Sequence, residues 1–228
     1  MSLPERQAEL VDTHRAIHEA DLPYVLVGGW AVSTFQTRIT VDVDMVLPET
    51  VLSEVDAVLQ RLGYTQEADD DVSNMYEGRI VQYGKPVGQH AVGFDALVNV
   101  LRCRQTNAEW SYDYLAEHSI VRDLNVASDL SARIPESALL FAIKLHSGRI
   151  ADIRDLVVIS PETDYADINR HLDRGDRDAL IGQIEGVVER LESENFEDSF
   201  TGVFEQRTLP EADIDEVIEF LRTRLGEG

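Results

Sequence analysis

The spacing of apolar residues divides the first part of the chain into alternating helices and strands. Apolar positions three or four apart predict helices, and short apolar or alternating runs predict strands. The predicted elements are, in order, a helix over Leu3 to about Ala20, a strand over Tyr24 to Val27, a short helix over Trp30 to about Gln36, a strand over Ile39 to Leu47, a helix from Pro48 to Gly63, and a strand pair over Tyr76 to Tyr83 and about His90 to Val100. Residues 69–73 are polar, and we predict a loop there.

The pattern changes after about Thr106. It predicts three short strand-like pieces (Ser119 to Val121, Leu124 to Ala127 and Ala132 to Ile134), followed by helices over Glu136 to Ser147 and Ala151 to Ile159 that are broken at Gly148. The remainder is helical and acidic, with a last amphipathic helix over Glu211 to Leu225. This order predicts an α/β (α+β) fold: a mixed sheet with flanking helices and a C-terminal helical subdomain packed against it. We place the domains at 1–106 and 107–228.

The net charge of the chain restricts the kinds of molecule that it can bind. The chain of 228 residues carries 43 acidic and 20 basic residues, a net charge of -23. Such a surface repels nucleic-acid backbones, so stable nucleic-acid binding is disfavoured. Lys85 and Lys144 are the only lysines. A dispersed acidic surface with few lysines resembles proteins of salt-loving organisms, in which concentrated salt screens the self-repulsion.

Location is predicted from three further features. Cys103 is the single cysteine, which excludes an internal disulfide and fits a reducing compartment. No apolar run is long enough to span a membrane, and the first residues show no signal-peptide pattern. We therefore expect a cytoplasmic protein with no membrane partner.

Two short sequences carry the candidate chemistry. An apolar run ends in Gly28-Gly29, which is typical of a strand that turns tightly into a helix and leaves backbone amides available to phosphates. The next predicted strand contains Asp42-Val43-Asp44. Because strand side chains alternate, Asp42 and Asp44 point to one face of the sheet. Two carboxylates on an apolar strand are costly unless a cation neutralises them.

A third carboxylate, Asp95, is the one acid in the later apolar run from Val92 to Val98. Three such acids suit a pair of Mg²⁺ ions, since Mg²⁺ prefers hard oxygen ligands and two-metal sites transfer phosphoryl groups. The alternative is that Asp42 and Asp44 simply lie on an exposed strand face.

Taken together, Gly28-Gly29, Asp42-x-Asp44 and Asp95 resemble the nucleotidyltransferase superfamily, which has a DNA polymerase β-like fold. The run Arg38-x-Thr40-x-Asp42-x-Asp44 looks like the Arg-x-Ser/Thr-x-Asp-x-Asp run of the AbiEii-type nucleotidyltransferases, many of which are toxins of toxin–antitoxin pairs. The resemblance covers about residues 1–160. It implies that the glycines, Arg38 and Thr40 lie at the nucleotide.

A second segment extends the resemblance. Lys144, Arg149, Asp152 and Asp155-Leu156 match a Lys…Arg…Asp…Asp-Leu pattern of the AbiEii-like proteins, although position 151, commonly basic there, is alanine. The resemblance implies that Lys144 contacts the triphosphate and that Asp152 orders the site or activates the acceptor. From the residues alone, Lys144 could equally extend from a half-buried helix face.

The leading hypothesis is a Mg²⁺-dependent nucleotidyltransferase that moves a nucleoside monophosphate from an NTP such as ATP to an acceptor hydroxyl on RNA, a protein or a small molecule. A toxin role would add an antitoxin protein as partner. The rival is a non-catalytic nucleotide-binding or regulatory protein with the same fold, which Trp30 and Ala151 favour as departures from the family pattern. A third hypothesis is a structural α/β domain in which Asp42 and Asp44 form ion pairs with arginines.

Overall fold

The computed structural model describes residues 3–38, 40–72, 76–204 and 210–226. The α-helices are α1 (Leu3–Glu19), α2 (Gly28–Ser33), α3 (Leu52–Arg61), α4 (Tyr112–Glu117), α5 (Ser137–Ser147), α6 (Ile150–Ile159), α7 (Tyr165–Leu172), α8 (Arg177–Leu191), α9 (Phe196–Phe204) and α10 (Glu211–Gly226). The strands are β1 (Val25–Val27), β2 (Asp42–Leu47), β3 (Thr65–Val72), β4 (Tyr76–Val87), β5 (His90–Val98), β6 (Val100–Cys103), β7 (Glu109–Ser111), β8 (Ser119–Leu124) and β9 (Ala127–Pro135). Short 3₁₀ turns cover Glu49–Val51 and Ser160–Glu162. The described part of the chain contains no helix long and apolar enough to cross a membrane.

The chain divides into two compact units. Unit 1 comprises residues 1–102 and 110–135, and unit 2 comprises residues 103–109 and 136–228. This division differs from the predicted boundary after residue 106, because α4 and the hairpin of β8 and β9 belong to unit 1 with the sheet. The packing of the helical region against the sheet stays a prediction.

A seven-stranded mixed sheet organises unit 1, in the order β1-β2-β5-β4-β6-β7 with β3 paired to β4. The strand β2 lies antiparallel to β1 and parallel to β5. The strand β2 is buried from Val43 to Leu47, with Asp44 included, and β5 is buried from Phe94 to Val98 apart from the half-buried Asp95. The helices α1 and α3 contribute buried apolar residues such as Leu10, Val55 and Leu59. The predicted fold class, a mixed α/β sheet with flanking helices, is confirmed.

The predicted loop at residues 69–73 was wrong over Asp69 to Val72, which form the end of β3; residue 73 lies outside the described residues. Among the residues that the structure describes, β3 pairs with one neighbour, β4, and such an edge position tolerates a polar sequence. A cross-strand ion pair between Asp69 and Arg79, at 2.9 Å, stabilises it further.

Other strand limits also differ from the predictions. The predicted strand over His90 to Val100 is broken at Asn99, which has a φ of 66° and separates β5 from β6. The Asn99 side-chain oxygen accepts a hydrogen bond from the Glu49 amide at 2.8 Å, which fixes this break. The strand β4 continues four residues beyond its predicted end, so the hairpin with β5 closes through Gly88 and Gln89.

The short helix α2 is held by side chains from the β8–β9 hairpin. The Asn125 amide donates to the Ser33 carbonyl at 2.8 Å, and Arg122 donates to the Thr34 carbonyl at 3.3 Å. Carbonyls at a helix end have no partner within the helix, so these contacts stabilise its C-terminal end. They fix the segment that begins at Gly28.

Helices form unit 2, as predicted for the end of the chain. The predicted break between α5 and α6 is confirmed at Gly148, which has a φ of 55° and donates its amide to the Lys144 carbonyl at 2.9 Å. This is a common left-handed glycine end to a helix. Buried apolar residues from α5, α6 and α8, such as Phe141, Leu156 and Ile184, form the interior.

One buried histidine in unit 2 links its stability to pH. His146 is 0% exposed, its Nε2 lies 3.0 Å from the Leu172 carbonyl, and its Nδ1 lies 2.7 Å from the Thr106 hydroxyl. In the neutral ring Nε2 donates and Nδ1 accepts. Burial lowers the pKa of His146 from 6.5 to about 4.

We expect the free energy of unfolding to fall as the pH drops from 6.5 to about 4, because His146 gains its proton far more readily when unfolded. A group whose pKa is lower in the folded state favours folding at pH values above its unfolded-state pKa. This contribution is lost as the pH falls towards its folded-state pKa. The loss due to His146 is roughly 3 kcal/mol. Urea denaturation at several pH values measures it. His146→Gln should make the profile shallower, with a remaining slope from His14, whose pKa burial likewise lowers to about 4. His90→Gln, at an exposed position, should not change the slope; equal slopes in the three proteins would contradict this origin.

Candidate functional site

The three predicted carboxylates lie together in unit 1. Parallel pairing of β2 with β5 sets Asp44 directly opposite Asp95 and Asp42 opposite Gly93. Residues opposite each other in paired strands project to the same face, as do residues two apart in one strand. Asp42, Asp44 and Asp95 therefore share one face of the sheet. Asp44 is 3% exposed, whereas Asp42 and Asp95 are half-buried.

The glycine turn lies against this acidic face. Antiparallel pairing sets Val27, the last residue of β1, opposite Asp44, so the chain enters Gly28 beside the carboxylate. Gly28 has a φ of 66°, a left-handed conformation that favours glycine. A Cβ atom at Gly28 would lie 1.9 Å from Asp44 Oδ2. The glycine is therefore required both by the backbone and by the carboxylate that occupies the space of its missing side chain.

Gly28→Ala should destabilise the protein by roughly 2–4 kcal/mol, because it combines a left-handed alanine with a clash in a packed interior. Thermal and urea denaturation measure the loss. Gly186→Ala is the matched control, since a Cβ atom there meets nothing within 4 Å on the helix α8. It should stabilise the helix by roughly 0.5–1 kcal/mol. A Gly28→Ala protein as stable as the parent would contradict the tight contact.

The second glycine faces the other predicted nucleotide-binding residues. A Cβ atom at Gly29 would lie 2.8 Å from Thr40 Cγ2 and 3.5 Å from the Arg38 guanidinium carbon. Arg38 and Thr40 also line a small cavity with Arg6 of α1. The structure thus brings together the glycines, Arg38 and Thr40 beside the acidic face. Arg6 is an addition that no spacing in the sequence indicated.

Burial and neighbouring negative charges both disfavour the ionised form of Asp95 at this face. Its pKa is raised, first by burial and then by the charges of Asp42 and Glu67, while a hydrogen bond from Gln82 opposes the rise. The Gln82 amide donates to both Asp95 oxygens at 3.3 Å. The Glu67 carboxylate lies over Gly84, where a Cβ atom would be 2.0 Å from its Oε1. The carboxylates repel one another, so a bound cation would be favoured.

Gln82 and Glu67 were missed by the sequence reasoning. For Gln82 a signal exists: closing the β4–β5 hairpin through Gly88 and Gln89 sets Gln82 opposite Asp95. Glu67 has no such signal, because a register shift between Gln66 and Ala68 places it. Bulges of this kind do not follow from apolar spacing.

The contacts give no support at Asp42 to the hypothesis that Asp42 and Asp44 form ion pairs with arginines. Among residues 3–38, 40–72, 76–204 and 210–226, neither Asp42 nor Asp95 forms an ion pair.

Trp30, the departure from the family pattern next to the glycines, is 2% exposed and its ring stacks on His14 at 6.4 Å. The indole is thus largely part of the core of unit 1.

Lys144, Arg149, Asp152 and Asp155 form one buried network in unit 2. The Lys144 ammonium lies 2.9 Å from Asp152 Oδ1 and 2.8 Å from Asp155 Oδ2, and all three residues are at most 3% exposed. Arg149 and the Ser147 hydroxyl also donate to Asp152. Burial opposes ionisation of Asp152, but the two cations outweigh it and lower its pKa. A contact of Lys144 or Asp152 with nucleotide stays a prediction.

Comparisons with known proteins give structural likeness at low identity. JHP933 from Helicobacter pylori is 12% identical, covering 99% of this chain and 92% of its own, with a TM-score of 0.51. The lincomycin-bound lincosamide antibiotic adenylyltransferase LnuA is 16% identical over 68% of this chain and 97% of its own, with a TM-score of 0.48. The antibiotic-resistance factor ANT(2'')-Ia is 15% identical over 96% and 92%, with a TM-score of 0.42.

These likenesses bear on the fold alone. JHP933 shares the fold over nearly the whole chain. The other two have TM-scores below 0.5 and carry no inference about this chain. No family model matches the sequence, and no curated protein matches it. The acidic face and the glycine turn are therefore the features of this chain that bear on function.

Proposed function

We propose that this protein is a metal-dependent nucleotidyltransferase, which moves a nucleoside monophosphate from an NTP to a hydroxyl group of an acceptor. The observation that carries the proposal is the register of β2 and β5, which sets Asp44 opposite Asp95 with Asp42 on the same face. The glycine turn ends directly against Asp44. Phosphate-binding backbone and metal-binding carboxylates are the two requirements of such a transfer.

The acidic face fits divalent metal ions. Asp42, Asp44 and Asp95 supply carboxylate oxygens, which are the ligands Mg²⁺ prefers. The pKa of Asp95 is raised mainly by burial and further by the charges of Asp42 and Glu67, and bound cations would offset both effects. These three residues would hold the ions. When bound there, Mg²⁺ supplies positive charge against the phosphates and the charge that develops during transfer.

The protein residues divide the remaining work. The backbone amides that follow the Gly28 turn would bind phosphate oxygens, and Arg38 and Thr40, which lie beside Gly29, would add further hydrogen-bond donors. The acceptor oxygen attacks the α-phosphorus, and the bond from that phosphorus to the bridging oxygen breaks. Pyrophosphate leaves with the electron pair. Asp95 would lie near the acceptor oxygen, where its carboxylate can take the hydroxyl proton.

The acceptor class is the finer part of the proposal. RNA, a protein side chain and a small molecule all offer hydroxyl groups. The net charge of -23 makes RNA the least favoured of the three. The AbiEii-type assignment, the toxin role with its antitoxin partner, and adaptation to concentrated salt stay predictions.

The position of the label on the NTP tests the reaction type. The protein is incubated with Mg²⁺, a cell extract as source of acceptors, and each NTP labelled at either the α- or the γ-phosphate. We expect the α-label to appear on an acceptor and the γ-label to leave as pyrophosphate. Transfer of the γ-label would identify a phosphotransferase and overturn the proposal. Saturable binding of Mg-NTP without any transfer would instead identify the non-catalytic nucleotide-binding protein.

A further inference from the structure

A cavity of about 520 Å³ lies within unit 2, and every residue lining it belongs to that unit. It is formed by the first half of α8, the loop before that helix, and Arg224 near the end of α10. Cavities of this size accommodate small organic molecules. Neither the acidic face nor the nucleotide chemistry proposed above uses any of its residues.

The cavity is positively charged in a strongly acidic protein. Arg174, Arg177 and Arg224 line it, against one acid, Asp173, so the lining carries two more positive than negative charges. Asp173 pairs with Arg224 at 3.0 Å. Arg177 forms no ion pair within the part of the chain that the structure describes. With 43 acidic residues against 20 basic ones in the chain, three arginines at one cavity are a local reversal of charge.

One wall of the cavity is apolar. Leu180 and Ile184, one turn apart on α8, are 6% and 3% exposed, and the half-buried Ile181 lies beside them. A ligand that fills the cavity therefore meets cations on one side and aliphatic side chains on the other. Inorganic anions alone would leave the apolar wall unsatisfied.

The loop that carries the arginines is held rigidly. Gly175 has a φ of 67°, and a Cβ atom there would lie 2.3 Å from the Thr106 carbonyl oxygen. The same carbonyl accepts the Asp176 amide at 2.7 Å, and the Asp176 carboxylate accepts the Ala179 amide at 2.9 Å. The loop is thus fixed by hydrogen bonds of the chain itself, which lowers the entropic cost of binding.

We propose that this cavity is a binding site for a small organic anion, in which a carboxylate or phosphate group binds the arginines and an apolar body packs on Leu180, Ile181 and Ile184. The guanidinium groups provide the planar, multiple donors that both anions accept. The site is independent of the proposed nucleotidyl transfer, so either can fail without the other.

Calorimetric titration of the full chain with four probes tests the site. Phenyl phosphate and benzoate carry both features, phenol lacks the anion, and inorganic phosphate lacks the apolar body. We expect saturable one-to-one binding of phenyl phosphate or benzoate with a Kd below about 1 mM, and binding at least about tenfold weaker for phenol and inorganic phosphate. The tighter of the two aromatic anions identifies the preferred head group.

Two arginine variants on α8 separate site binding from general charge attraction. Arg177→Gln should weaken binding at least about tenfold, the loss expected from one charge-assisted hydrogen bond. Arg190→Gln, an exposed position on the same helix outside the cavity, should stay within about twofold of the parent. Ile181→Asp places on the apolar wall a negative charge, which has the same sign as the charge of the ligand, and should abolish binding. Absence of saturable binding up to about 10 mM, or equal affinities of the two arginine variants, would overturn the proposal.

Discussion

Asp44→Asn should lower nucleotidyl transfer at least about 10³-fold, more than 4 kcal/mol of transition-state stabilisation. Asparagine has nearly the shape of aspartate, so it keeps the packing against Gly28. The substitution removes the negative charge at a position that is 3% exposed, where little water screens electrostatic interactions. The measurement is the rate of α-label transfer at saturating Mg²⁺ and NTP. The increase in melting temperature produced by Mg-NTP should also decline.

The matched control is Asp123→Asn, which removes an exposed carboxylate from the strand β8 of the same unit. It changes the net charge equally and should leave the rate within about twofold of the parent. Circular dichroism establishes that both variants fold. If Asp44→Asn transferred label at the rate of the control variant, the carboxylates of the acidic face could not be the metal ligands of the reaction.

Lys144→Met should destabilise unit 2 by roughly 3–5 kcal/mol, the usual result of removing one partner from a buried ionic network. Asp152 and Asp155, both 0% exposed, would lose the ammonium that lies within 2.9 Å of each. Arg149 would still pair with Asp152. Urea denaturation followed by circular dichroism measures the loss of stability.

The other lysine of the chain is the control. Lys85 pairs with Glu9, but both side chains are 21% exposed, so Lys85→Met should cost about 1 kcal/mol or less. Combining Lys144→Met with Asp155→Asn should restore part of the stability, because the second change removes an uncompensated charge. Equal losses for the two lysine variants, or no recovery in the double variant, would contradict the network as the cause.

The grouping of the carboxylates could be predicted from the sequence because it depends on strand periodicity. Asp42 and Asp44 share a face in any strand, and Asp95 is the lone acid of a second apolar run. The sequence could not supply the register that sets Asp44 opposite Asp95, since parallel pairing joins segments far apart in the chain. Gly28 was predicted as a tight turn, but its contact with Asp44 depends on the same pairing.

Lys144 illustrates where sequence reasoning ended. Its place among apolar residues indicated a special environment, but the helical pattern did not identify Asp152 and Asp155 together as its partners. That contact depends on the angle between α5 and α6, which Gly148 sets. The wrong prediction of a loop at Asp69 has a similar cause. The local sequence is polar and favours a loop, but the ion pair with Arg79 on the neighbouring strand stabilises the strand conformation.

The contact between Gly28 and Asp44 also restricts how this protein can evolve. Any side chain at position 28 would need the space that the Asp44 carboxylate fills, so it could enter only after residue 44 became smaller. That first change would remove the carboxylate. Descendants that keep the carboxylate must therefore keep the glycine, and those that lose both residues have no single-step return to an intact site. We expect the two positions to be inherited as a pair, with paired loss in lineages where the acidic face no longer binds metal.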